Sequence, residues 1–138
     1  MTTALLLDTH ASVWWSSGER LSAASRRAIE RAARSDSGVF VSPITAWEAA
    51  RLARSGRFRL PLEPLIWFRS LVSQPGFGML HLSPEIMIES IDLPGDPPDD
   101  PADRFLIATA RAHGLRLVTR DTKILDYGES GQVLALEC

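Results

Sequence analysis

The chain has 138 residues, 45% of them apolar, and a formal net charge of −2, which suits a single domain over residues 1–138 that buries its core without disulfides or structural metal. The sole cysteine, Cys138, excludes an intramolecular disulfide and a cysteine zinc site and fits a reducing compartment. No apolar run approaches the roughly 18 residues of a membrane span, the N-terminal MTTALLLDTH lacks the basic start of a signal peptide, and the balance of charge argues against coating nucleic acid by bulk electrostatics, so a cytoplasmic protein away from membranes is expected.

Residues 4–7 (ALLL) read as a short buried strand, followed by a helix over Ala11–Ser16 and an amphipathic helix over about 22–35. Asp36-Ser37-Gly38 breaks that helix, and Val39–Val41 forms a second strand. Ser42-Pro43 has the form of a helix start, Ser as N-cap and Pro at the first helical position; this helix runs to about Arg54, and another lies near 62–73 between prolines. Gly76 and Gly78 read as turn punctuation before a third strand at Met79–Leu82, and Ser83-Pro84 starts a helix ending near Leu93. The run LPGDPPDDPAD is an exposed loop ending at the helix start Asp100-Pro101. A helix over 101–113, a strand at Leu115–Thr119, a helical turn at Thr122–Asp126 and a strand at Val133–Leu136 complete the chain. Short apolar strands alternating with helices imply an α/β fold, a parallel sheet covered by helices on both faces.

Four acids stand beside these elements: Asp8 after LLL, Glu48 in ITAWEAARLA, Asp103 in DPADRFLIATA and Asp121 after LRLVTR. Ligands of parallel sheets bind at the carboxyl ends of the strands, and all four acids map to that edge. Each has a second reading. Asp8, Asp100 and Asp121 stand where a helix N-cap belongs, Asp103 suits the first turn of its helix, and Glu48 has Arg51 or Arg54 within pairing distance along a helix face. The apolar neighbours Ile44, Trp47, Ala50 and Leu52 predict instead that Glu48 is buried and needs a partner. Carboxylates forced together raise one another's pKa values, so the cluster is costly unless a divalent cation occupies it; all-oxygen donors suit Mg²⁺ or Mn²⁺. His10 is the histidine placed near this site, whereas His113, before the helix-ending Gly114, reads as a C-terminal cation or a surface residue.

Around the acids, Thr9, Ser42 and Thr119 have hydroxyls able to bind carboxylate or phosphate, with capping as the other reading for Thr9 and Ser42. Arg104, next to Asp103, clamps substrate phosphate or neutralises the acidic cluster, the second being favoured. Fourteen of the fifteen cations are arginine, and Arg51, Arg54, Arg57 and Arg59 form either an RNA track or an ordinary solvated face. Trp14, Trp15, Trp47 and Trp67 read first as core residues, with segment 44–73 as a candidate groove for a partner's helix or strand.

The segments LLLDTHASVWW, VSPITAWEAARLARSGRFRL and DPADRFLIATARAHGLRLVTRD, in that order, resemble the PIN-domain ribonuclease toxins of VapBC toxin–antitoxin modules, and the resemblance covers nearly the whole chain. It implies a three-layer α/β/α fold with a five-stranded parallel sheet, and an Mg²⁺- or Mn²⁺-dependent endoribonuclease acting as a toxin. It also implies a homodimer and a small antitoxin partner. By position, the acids that the resemblance implies form the catalytic metal site are Asp8, Glu48, Asp103 and Asp121; the mechanistic hypothesis places Asp8, Asp103 and Asp121 on the metal and Glu48 orienting the attacking water. The lead-in GDPPDD departs from the pattern and leaves open whether Asp100 also touches metal. A non-catalytic RNA- or protein-binding module is the alternative. Neither a GxxxxGK[ST] nor a GxGxxG loop occurs, which disfavours nucleotide hydrolysis and dinucleotide redox chemistry.

Overall fold

Five apolar runs pair as strands: β1 (Leu5–Leu7), β2 (Val39–Val41), β3 (Phe77–Met79), β4 (Arg116–Thr119) and β5 (Leu134–Glu137). In the computed structural model, which describes residues 3–138, they form one parallel sheet in the order β3-β2-β1-β4-β5. Met1 and Thr2, part of the stretch read for a signal peptide, lie outside the described residues. Seven helices connect the strands: α1 (Thr9–Ser17), α2 (Ala23–Arg34), α3 (Pro43–Arg54), α4 (Pro64–Val72), α5 (Pro84–Glu89), α6 (Pro101–His113) and α7 (Thr122–Glu129). None of them is long and apolar enough to cross a membrane.

Strand side chains alternate between faces, and the core divides accordingly. Leu6 and Leu117 pack with Leu106, Ile107 and Ala110 of α6 and Ile124 and Tyr127 of α7 on one face. On the other, Leu5, Leu7, Val39 and Val118 meet Ala11 of α1 and Ile29 and Ala32 of α2. A third cluster joins Val41 and Val13 to Ala49 of α3 and Trp67, Phe68 and Leu71 of α4. The fold is thus the expected three-layer α/β/α arrangement. Its topology reverses at β1: from there the chain adds β2 and β3 on one side, then returns to place β4 on the other. The crevice between the carboxyl ends of β1 and β4 is therefore a topological switch point, where such sheets bind ligands.

Most predicted elements stand within a residue or two of the observed ones, and three differ for identifiable reasons. The third strand is Phe77–Met79, not Met79–Leu82. Gly78 is a strand residue paired opposite Phe40, and a Cβ there would meet the Phe40 ring at an ordinary contact distance of 3.4 Å, so the residue continues the strand and marks neither a turn nor a steric need for glycine. Helix α5 stops at Glu89, short of Leu93: the N–H groups of Ile91 and Asp92 bond three residues back, to the carbonyls of Ile88 at 3.0 Å and Glu89 at 3.1 Å, so the chain tightens into a turn before Pro94, which has no N–H to continue a helix. Helix α7 continues past Asp126 to Glu129 and includes Gly128, where a Cβ would come within 3.1 Å of the Ala135 Cβ on β5.

Gly76 leads into β3 with φ +82°, and a Cβ there would lie 1.9 Å from the Ala33 carbonyl oxygen. Its own carbonyl accepts the Val39 N–H at 2.9 Å, so the close approach ties the ends of α2, β2 and β3 together. Gly76→Ala is expected to cost about 3 kcal/mol or more, read as a lowered denaturant midpoint; an unchanged midpoint would contradict this packing.

Candidate active site

Three of the acids begin helices. Asp8 is the N-cap of α1 and accepts the Ala11 N–H at 2.7 Å; Asp121 caps α7 through Oδ1, accepting from Lys123 at 2.9 Å and Ile124 at 3.1 Å. Asp100 caps α6 by accepting the Asp103 N–H at 3.0 Å, which leaves Asp103 itself in the first turn. Capping is not an alternative to a site here. Asp8 directly follows β1 and Asp121 lies just beyond β4, so helix starts at one sheet edge turn their carboxylates into one crevice.

That crevice is a cavity of about 570 Å³ lined by Asp8, Glu48, Asp100, Asp103 and Asp121, with Arg120 and Lys123 as the cations on its wall. The carboxyl of Asp103 is pushed up to about 7, first by loss of hydration and then by the charges of Asp100, Asp121, Glu48 and Asp8. Burial likewise raises Asp8, with Glu48 adding to the shift, while the Thr119 hydroxyl, the Ala11 N–H and His10 oppose it. Thr119 is fully buried and also accepts the Asp121 N–H at 3.0 Å, so one hydroxyl supports both acids flanking the switch point.

Glu48 reaches the cavity from α3 and is half-buried rather than buried as expected, because its neighbour Trp47 is itself exposed. The buried Thr9 hydroxyl donates to its Oε1 at 2.5 Å and lies 3.3 Å from the Thr45 hydroxyl. Thr45, one helical turn before Glu48, was not singled out from the sequence; the i, i+3 spacing on one face was the available signal. Ser42 acts as the α3 cap, accepting from Ile44 at 3.2 Å. His10 is exposed and lines the cavity. Asp99 instead lines a neighbouring cavity with Asp96 and Asp126.

Arg104 corrects the sequence reading. Its guanidinium donates to the carbonyls of Ser90 at 2.8 Å, Pro98 at 3.0 Å and Ile91 at 3.1 Å. It therefore neither neutralises the acids nor clamps a phosphate; it staples the loop before α6 to the end of α5. The arginine track divides as well: Arg57 and Arg59 line a second cleft, whereas Arg51 lies over the Trp47 ring, 5.1 Å from its centroid. Among the tryptophans, Trp67 is 2% exposed and donates to Ser16 Oγ at 3.0 Å, and Trp14 and Trp15 are half-buried. Trp47 is 57% exposed and not a core residue.

The donor chemistry fits a hard divalent cation. Among the described residues no three His, Cys, Asp or Glu side chains converge as a ready ligand shell, but Mg²⁺ keeps several waters and takes only one or two carboxylates directly. Asp8, Asp103 and Asp121 offer such oxygens around a cavity in which the Asp103 carboxyl is raised first by lost hydration and then by neighbouring negative charge.

The comparisons agree with this fold. The PIN domain family matches residues 5–130. Ribonuclease VapC22 of Mycobacterium tuberculosis is 37% identical over 126 residues, 91% of this chain and 92% of its own length. Among solved structures, VapBC2 from Rickettsia felis, bound to a DNA fragment from its promoter, aligns with TM-score 0.67 at 12% identity over 98% of both chains. A toxin–antitoxin complex from Klebsiella pneumoniae aligns with TM-score 0.56 at 23% identity, over 86% of this chain and 88% of the other. The chain belongs to the PIN-domain family, among its VapC proteins.

Two outcomes follow from the site. A carboxyl whose pKa lies near 7 when folded, against 3.8 as the ordinary value, holds its proton more tightly in the folded state, so stability is highest below about pH 4 for this group and is lost as pH rises to about 7. With the protein in EDTA, Asp103→Asn should flatten a fall in Tm over that range; an unchanged pH dependence would contradict the cause assigned. Arg104→Ala removes three carbonyl contacts, two part-buried and one exposed, and is expected to cost about 1–3 kcal/mol, with faster hydrogen exchange at residues 90–98; unaltered exchange there would refute the staple.

Proposed function

We propose that the chain is an Mg²⁺- or Mn²⁺-dependent endoribonuclease that hydrolyses RNA phosphodiester bonds and serves as the toxin of a toxin–antitoxin module. The observation that carries this reading is the convergence of five carboxylates on one cavity at the β1/β4 switch point, with Asp103 raised to about 7. The 37% identity to a protein named a ribonuclease supports the substrate class.

Asp8, Asp103 and Asp121 would hold the cation. When bound, it supplies charge neutralisation at the phosphate and lowers the pKa of water. Asp103 must give up its proton to serve, so cation binding is weakened as pH falls below about 7. Glu48 orients the attacking water, its own carboxylate fixed by Thr9. Attack by water rather than by a ribose 2′-hydroxyl, with the P–O3′ bond breaking and the 3′-oxygen leaving as a hydroxyl, gives 5′-phosphate and 3′-hydroxyl ends.

A homodimer and a small antitoxin are part of the reading. Trp47 on α3, Leu65 and Ile66 on α4, and Ile88 and Ile91 at α5 are large apolar side chains more than half exposed, the kind of surface that partners cover. The structural likeness to toxin–antitoxin complexes supports a protein partner of this sort. A cytoplasmic location agrees with both roles.

Because Asn caps a helix as well as Asp does, Asp8→Asn and Asp121→Asn separate capping from catalysis. Both should change the unfolding free energy by no more than about 1 kcal/mol and reduce RNA cleavage at least about 100-fold, and EDTA should abolish wild-type cleavage, with end mapping showing 5′-phosphates. Retained activity in Asp8→Asn, activity in EDTA, or 2′,3′-cyclic phosphate products would overturn the mechanism.

A further inference from the structure

A second cleft, of about 510 Å³, opens beside the acidic cavity, and His10 and Trp14 line both. The polarity changes across that shared wall. On the first side, five carboxylates face Arg120 and Lys123; on the second, Arg20, Arg57 and Arg59 face the single acid Glu19. Phe58 lines the second cleft too, its ring 4.9 Å from His10 and steeply inclined to it at 75°, while the Trp14 ring lies 5.5 Å from His10. Arg120 is stacked 4.4 Å from the Trp14 ring centroid, with its guanidinium bonded to the Cys138 carbonyl at 2.5 Å, which fixes the wall between the two chambers.

We propose that this cleft holds the nucleotide next to the scissile phosphate of a single-stranded RNA, with Arg57, Arg59 and Arg20 on its phosphates and the aromatic wall of Trp14 and Phe58 against its base. The inference rests on the ribonuclease reading. Without its cation the acidic chamber repels a polyanion, so attraction must come from alongside it; three arginines across the wall of His10 and Trp14 supply it. Aromatic faces accept any base by stacking, whereas an acidic peptide would gain only the charge contacts. The cleft thus recognises a strand rather than a duplex, whose bases are already stacked.

Fluorescence anisotropy of the full chain in EDTA, with a fluorescein-labelled single-stranded octaribonucleotide, tests this without any catalytic readout. Arg57→Gln/Arg59→Gln should weaken binding about tenfold and make the dependence of log Kd on log salt shallower by about 1.4, two phosphate contacts at about 0.7 each, while Arg57→Lys/Arg59→Lys keeps the slope. Wild type should prefer the RNA about fivefold or more over an abasic ribose-phosphate chain of the same length, and Phe58→Leu should reduce that preference. An unchanged Kd and slope in the Gln pair, equal affinity for RNA and abasic chain, or equal affinity for an octaglutamate peptide would each overturn the proposal, the last pointing to a protein ligand instead. Cleavage in Mg²⁺ separates the two readings. A wild type that binds RNA through the cleft yet never cuts it refutes the ribonuclease, and one that cuts RNA while the Gln pair binds normally refutes only the cleft.

Discussion

Uncompensated repulsion among carboxylates at the end of β1 and β4 is the constraint around which the rest of this molecule is arranged. Parallel strands must be joined by crossovers, so the helices leaving their carboxyl ends begin at the same edge. Short acids are favoured at helix starts, and here Asp8, Asp100 and Asp121 occupy those starts. A device that stabilises each helix separately therefore gathers negative charge in one poorly hydrated crevice, and the raised Asp103 carboxyl records the consequence. Helix caps need no such convergence to work, which is why the arrangement points to a cation.

The neighbouring groups make sense as supports for that charge. Thr119 binds both acids at the switch point, and Thr9 pins Glu48 from the first turn of α1. Arg104 holds the approach to α6 in place through carbonyls, which aims Asp100 and Asp103 without cancelling their charge. The cations that were free to meet an anionic substrate lie across the His10 and Trp14 wall. Separation of acid and base into adjoining chambers lets one surface bind a cation and a polyanion together.

Much of this was readable from residue order because the signals were local. Apolar runs, Ser-Pro helix starts and Asp beside a strand end each report on a few neighbouring residues, and the parallel topology then places the four acids at one edge. What was not readable depends on distant contacts. Gly78 looks like a turn residue until its pairing with Phe40 in the sheet is found, and Arg104 looks like a partner for Asp103 until the carbonyls of Ser90, Ile91 and Pro98 claim it. Trp47 and Trp67 have the same composition signal and opposite fates, since only the packing of α4 decides which ring is covered. Arg20, one of the cations of the second cleft, comes from the turn after α1 and shares no sequence neighbourhood with Arg57 and Arg59.

The central claim is that the crevice at the β1/β4 switch point is a cation site built from helix caps. The most direct test is an anomalous difference map from crystals of the full chain grown with Mn²⁺. The account predicts a peak in the cavity between Asp8, Asp103 and Asp121, lost in crystals of Asp103→Asn. A well-ordered cavity with no peak at saturating Mn²⁺, or a peak bound only elsewhere on the surface, would contradict it.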